Sequence, residues 1–100
     1  MTMHKAISLR NQIADGYSIP VGSANIIFVT TTIGMIGCGA FDIRVLEHFG
    51  VPAAKMKAVI KQTIESIDEI LEAEVTEVNG PAVLRGIRKG MSGREALELL

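Results

Sequence analysis

Asn25-Ile26-Ile27-Phe28-Val29-Thr30-Thr31-Thr32-Ile33-Gly34-Met35-Ile36-Gly37-Cys38-Gly39-Ala40-Phe41-Asp42 is the stretch that decides how this chain folds. It opens with four consecutive apolar residues, Ile26 to Val29, and continues into three threonines. That composition suits an extended, pleated backbone better than a helix. Met35 to Cys38 reads as a second strand, turned back onto the first by a tight reversal at Thr32 to Gly34. Asp42 then stands where a helix needs an N-cap. The only cysteine therefore falls between glycines at a passage from strand to helix. Free backbone N–H groups and the positive end of a helix dipole at such a place favour a thiolate or a docked anion.

Toward the N-terminus the pattern stays extended. Lys5 to Leu9 and Tyr17 to Val21 are strand candidates, separated by Asn11 to Gly16, where Asp15-Gly16 reads as a turn. Pro20 lacks an N–H and so confines its strand to an edge. Beyond Ala40 short helices and strands alternate. Asp42 caps a helix that runs through Phe49 and ends at Gly50, with Pro52 preventing continuation. Lys55 to Ile60 reads as a half-buried strand. Thr63 caps an amphipathic helix with Ile64, Ile67, Ile70 and Leu71 on one stripe and Glu65, Asp68, Glu69 and Glu72 on the other face. Glu74 to Val78 is a further strand. Asn79 and Pro81 open a short helix that Gly86 or Gly90 stops. Ser92-Gly93-Arg94-Glu95 is a capping box for a helix to Leu100. The fold class is α+β, with an antiparallel N-terminal region over 1–40, a mixed region over 41–100, and one layer of helices on a sheet.

Composition bounds the rest. At 100 residues the chain is one domain, 48% hydrophobic yet only 4% aromatic and without tryptophan, so its core is aliphatic. A formal net charge of −1 excludes a binder of nucleic acid or membrane surface that depends on a positive field. One cysteine makes no internal disulfide, the N-terminus lacks an apolar signal segment, and no apolar run nears the roughly 20 residues of a membrane span, so the expectation is a cytoplasmic protein. Four successive apolar residues in one strand point to both faces of their sheet, and the few short helices suffice for one face. A second copy of the chain is expected to cover the other.

The order Gly34-x-x-x-Cys38-Gly39-x-x-Asp42, the segment Ile70-Leu71-x-Ala73-x-Val75 and the tail Gly86-Ile87-x-x-Gly90-Met91-Ser92-Gly93-x-Glu95-Ala96-Leu97 together resemble the YunC-like family of small bacterial and archaeal domains of unknown function. The resemblance spans about Gly16 to Leu100. It implies a small α+β domain whose N-terminal β region mediates tetramerisation, with no assigned activity. Members often carry a bulky aromatic directly after the first glycine, where this chain has Met35.

Candidate site residues each carry a plainer alternative. Cys38 is a candidate nucleophile or redox thiol, or else a small buried hydrophobe. Asp42 is a candidate catalytic carboxylate, or else only the N-cap. Gly37 and Gly39 echo a dinucleotide loop but lack its third small residue and a long helix behind it, so that reading fails, and they remain as glycines lining a cleft. Ser92, Gly93 and Arg94, with Arg85, Arg88 and Lys89 close in sequence, form a candidate anion site, or else balance the acidic helix. His4 and His48 have no partners at metal-ligand spacing, and the sequence specifies no cofactor. Two classes of function follow. One is a noncatalytic oligomeric module that binds a small anionic ligand or a protein partner, and the other is a small thiol-dependent enzyme using Cys38. The first is preferred because no general base can be named beside the thiol.

Overall fold

In the computed structural model, which describes residues 2–100, the apolar stretch forms the third strand of a six-stranded mixed sheet. The strands are β1 (Met3–Ser8), β2 (Ile13–Val21), β3 (Ala24–Thr30), β4 (Met35–Gly37), β5 (Ala53–Lys57) and β6 (Glu74–Val78), arranged side by side in chain order. Neighbours are antiparallel except β4 and β5, which are parallel and joined by the crossover helix α1 (Ile43–Glu47). The remaining helices are α2 (Ile67–Glu72), α3 (Gly80–Leu84) and α4 (Gly93–Glu98). None is long and apolar enough to cross a membrane.

Alternation along β3 sorts its apolar run between two faces. Ile27 and Val29 are fully buried in the main core with Ile36, Ala54 and Met56 of the sheet and Ile67, Ile70 and Leu97 of α2 and α4. Phe28 points the other way, toward a smaller cluster of Met35, Ala53, Phe41, Ile43 and Leu46. The helices are thus not the single layer expected from sequence: α2 and α4 cover one face, and α1 covers the β4–β5 end of the opposite face. A crossover between parallel neighbours must climb over one face of the sheet, and here it takes the face that α2 and α4 leave open.

Most expected boundaries hold, and three shift. The Asp15-Gly16 pair is not a turn. It lies within β2, opposite Ala6 and Lys5, and the β1–β2 reversal occurs earlier, closed by the Leu9 N–H donating to Gln12 at 2.9 Å. Gly16 serves instead to admit α2, since a Cβ there would lie 2.7 Å from Ile67 Cγ2. Pro20 pairs with Asn25 of β3 in the part of β2 that outruns β1, so the edge constraint is met locally although β2 is an interior strand. The strand expected over Lys55 to Ile60 runs from Ala53 to Lys57, and helix α2 begins at Ser66 rather than Thr63. Ser66 Oγ accepts from the Glu69 N–H at 3.1 Å, and the Glu69 carboxylate accepts in turn from the Glu65 N–H at 2.8 Å, leaving Ile64 as a buried plug ahead of the helix.

The tight reversal before β4 is built by Thr31, whose hydroxyl accepts from the N–H groups of Ile33 and Gly34, both at 3.1 Å. Helix α1 ends on Gly50 at φ 72°, with Val51 donating to Leu46 and Gly50 donating to Glu47, the paired bonds that close a helix through a left-handed residue. The capping box at Ser92 is complete: the Ser92 hydroxyl accepts from Glu95 N–H at 3.1 Å and the Glu95 carboxylate from Ser92 N–H at 2.9 Å.

Among the described residues Asn79 is the one polar side chain in the buried core. Its Oδ1 accepts from the N–H groups of Ala53 (3.0 Å) and Ala82 (3.1 Å), while its Nδ2 donates to the carbonyls of Ile43 (3.0 Å) and Val51 (2.9 Å). The amide thus uses its whole bonding capacity to tie α1, the start of β5 and α3 together. Asn79→Ala strands buried backbone groups and removes a cap, and is expected to cost about 3 kcal/mol and lower Tm by about 12 °C or more in a calorimetric scan. An unchanged Tm would refute this role.

Two carboxyls, exposed Glu95 and half-buried Glu69, give acid sensitivity. The Ser92 N–H and hydroxyl hold Glu95 below its ordinary value, and the Lys61 ammonium followed by the Glu65 N–H holds Glu69 below its own. A depressed folded-state pKa contributes stability above the ordinary carboxylate value of 4.5, and that contribution is lost as pH falls through the lowered folded value. Tm is expected to decline on acidification below that range, and Glu95→Gln to show a shallower decline. Parallel profiles for the two proteins would contradict the assignment.

Candidate functional site

Strands β4 and β5 run parallel, and their carboxyl ends open onto a cleft of about 320 Å³. Crevices beyond the carboxyl ends of parallel strands, where the chain departs in different directions, are a recurrent location of ligand sites. Here the segment Cys38-Gly39-Ala40 leaving β4 forms one wall. Met56, Lys57 and Ala58 at the end of β5 form a second, Asn25 at the start of β3 a third, and Gln62, Thr63 and Ile64 of the loop before α2 a fourth.

The lining has a definite chemical character. Its polar residues are Asn25, Gln62, Thr63, Lys57 and Cys38, and no carboxylate or histidine lies among them. Lys57 is exposed and forms no ion pair among the described residues. A positive charge with amide and hydroxyl groups around it is complementary to a small anion or a carbonyl-rich ligand.

Cys38 stands at the floor of the cleft, 9% exposed and part of the main apolar cluster. Its N–H donates to the Ile27 carbonyl at 3.0 Å, continuing the β3–β4 ladder by one residue, and its carbonyl accepts from Phe41 N–H at 3.3 Å. The Cys38 N–H is thus used within the sheet and is not free to hold an anion. Gly39 is exposed with open space around its α-carbon, and it shares the cleft with Cys38.

The other expected residues lie elsewhere. Gly37 is buried in β4 beneath Phe41, whose ring occupies the place of a side chain, a Cβ at Gly37 coming within 2.6 Å of it. Asp42 caps α1, its Oδ1 accepting from Arg44 N–H at 3.0 Å, and is not among the cleft residues. Ser92, Gly93 and Arg94 are grouped at the start of α4 and do not join Cys38. Gly93 is buried where α4 crosses α2, so close that any side chain would strike the Ile70 carbonyl, and its N–H donates to Ala73 at 3.1 Å. Arg94 extends toward the Ser8 carbonyl at 3.5 Å. Beside that contact Arg10 N–H donates to Glu98 at 3.1 Å and Gln12 Nε2 to the Leu100 carbonyl at 2.7 Å, so this corner stitches the β1–β2 turn to α4.

Lys57 and Gln62 were not legible as site residues, because they meet Cys38 only through the parallel pairing of β4 with β5, and Asn25 joins them from the start of β3 through its antiparallel pairing with β4. Thr63, read from sequence as a helix cap, lines the cleft instead. The one sequence signal available for Lys57 was its place at the end of a strand that follows a crossover helix.

Comparison with known proteins agrees with this architecture. The chain is 32% identical over 95 residues to the uncharacterized protein YunC of Bacillus subtilis (strain 168), covering 91% of this chain and 89% of the relative. The fold matches the crystal structure of a protein of unknown function, TA1206, from Thermoplasma acidophilum with a TM-score of 0.85, at 21% identity and covering 98% of this chain and 91% of that one. Residues 37–100, which include the cysteine segment, the capping box and most of the cleft, match the model of the domain of unknown function DUF1805. The chain belongs to this YunC-like family of unknown function.

Proposed function

We propose that this protein is a noncatalytic, homo-oligomeric binding module whose cleft at the ends of β4 and β5 takes a small anionic ligand. The carboxylate-free lining around Lys57 is the observation that carries this reading. Catalysis by Cys38 has less support, because the thiol is packed in apolar surroundings and no histidine or carboxylate stands beside it in the cleft.

Assembly is supported by the open face of the N-terminal strands. Tyr17, Ile19, Ile26 and Phe28 share that face through the pairs Tyr17↔Phe28 and Ile19↔Ile26, and all four are only half-buried. A row of rings crosses it, His4 to Tyr17 at 5.0 Å, Tyr17 to Phe28 at 5.0 Å and Phe28 to Phe41 at 5.2 Å. Helix α1 shelters only the Phe41 end of that row. Isologous packing of this face on a second copy, in a tetramer formed through β1 to β3, would bury the remainder.

Charge substitutions on β3 separate the two faces. Ile27→Asp places a carboxylate in the protomer's own core and is expected to abolish folding, whereas Ile26→Asp is expected to give a folded species of lower mass in light scattering. A wild-type monomer at micromolar concentration would sink the assembly reading.

The cleft is tested by anions. Phosphate or a small dicarboxylate at 100 times its Kd stabilises the native state by about 2.7 kcal/mol, equivalent to a Tm rise of about 10 °C or more relative to chloride at matched ionic strength. Lys57→Gln is expected to remove most of the rise while Arg94→Ala retains it. Equal shifts in wild type and Lys57→Gln would overturn the reading.

A further inference from the structure

The loop between β5 and α2 is loosely tied to the rest of the fold. Residues 59–64 lie outside helix and strand, and among the described residues none of them makes a backbone hydrogen bond to another part of the chain. The loop is fixed at its base by Lys57 in the sheet and at its far end by the buried Ile64. Between these points its one polar tether is Lys61. The Lys61 ammonium reaches Glu69 Oε2 at 2.6 Å, in the first turn of α2, and Glu65 Oε2 at 3.3 Å, just ahead of the N-cap Ser66.

The same loop borders two cavities. Gln62, Thr63 and Ile64 face the Cys38 cleft, while Val59, Ile60 and Lys61 face an apolar groove of about 370 Å³ against α2. Ala58 and Thr63 touch both. Val59 is 64% exposed and Ile60 96%, an arrangement in which the loop has apolar surface to bury by moving and little packing to lose.

We propose that residues 58–63 form a movable wall of the Cys38 cleft, and that the Lys61 ion pair to Glu69, with Glu65 as its second partner, pins this wall to α2 and sets how often the cleft opens. The pin is electrostatic and solvent-exposed, so it is weak enough to release and is sensitive to salt. Glu69 is itself oriented by its bonds to Ser66 and the Glu65 N–H, which gives the ammonium a prepositioned partner. As regulation of an anion site this inference rests on the proposed reading of the cleft. The motion itself is read out on the thiol, with no ligand present.

The experiment is alkylation of Cys38 by iodoacetamide in the native protein, for wild type and Lys61→Met, at low salt and in 1 M sodium chloride, with Tm measured alongside. Lys61→Met is expected to accelerate alkylation about fivefold at low salt with Tm lowered by no more than a few degrees, and wild type in 1 M salt is expected to approach the variant's rate. Glu69→Gln reports on the other half of the pin and is expected to accelerate the reaction in the same direction. Equal rates for wild type and Lys61→Met at low salt would overturn the proposal. So would acceleration in Lys61→Met accompanied by a proportionate fall in Tm, since the thiol would then be exposed by global unfolding. Failure of phosphate to stabilise the protein, with the alkylation result intact, would remove the anion reading and leave the movable wall standing.

Discussion

The Asn79 amide is the constraint on which the rest of the structure depends. A βαβ crossover leaves backbone groups in its loop and at the start of its second strand that need partners. Here the Val51 carbonyl and the Ala53 N–H are those groups, and both are satisfied by one side chain just past the far end of β6, which also bonds the Ile43 carbonyl of α1. The same Oδ1 caps α3 through Ala82. An aspartate would accept the two N–H bonds but would turn a charged oxygen toward the carbonyls of Ile43 and Val51, so the chemistry requires an amide. The position of β5 beside β4, and hence the cleft at their ends, follows from this lock.

A second constraint is the division of β3 between two environments. Ile27 and Val29 are sealed beneath α2 and α4, with α4 lying so close to α2 that only glycine fits at position 93. The opposite face has one short helix, and that helix is placed by the crossover at the β4–β5 end. The strands nearest the N-terminus therefore carry the same kind of apolar row without a layer over it. Aromatic rings concentrate there although the chain has only four of the Phe, Tyr and Trp type, and three of these, Tyr17, Phe28 and Phe41, stack across this face. In a protein whose core is otherwise aliphatic, that placement is the basis of the assembly proposed above.

What was legible in the sequence was what depends on neighbours a few residues away. Asp42, Asn79 with Pro81, and Ser92 with Glu95 cap helices where their spacing says they should. Ile26 to Val29 forms a strand, and Thr31 to Gly34 reverses it. The misreadings came where a local signal met a more distant partner. Asp15-Gly16 has the composition of a turn, yet Gly16 is small because Ile67 of α2 needs the space. Thr63 is a good cap by type, but Ser66 is the one that stands three residues before a glutamate able to fold back. The cleft was half visible, in Cys38 and Gly39, because its other half comes from β5 and from the loop after it, and the strand–helix–strand order hints at a crossover without saying that β4 and β5 lie side by side.

The placement of Cys38 shows why a glycine-flanked cysteine at a strand end does not by itself make a reactive site. Its N–H extends the sheet to Ile27, its carbonyl holds the turn to Phe41, and its side chain is packed in the main cluster. Helix α1, whose dipole was expected to act on the thiol, has only five residues and begins beyond Phe41, with Asp42 already occupying its N-terminus. A dipole of one turn, partly neutralised by its own cap, offers little field at the sulfur. Of the polar residues in the cleft, Lys57 forms no ion pair among the described residues, and Gln62 and Thr63 belong to the loop whose Lys61 pairs with Glu69 and Glu65. Position at the end of a parallel pair gives this cleft its walls.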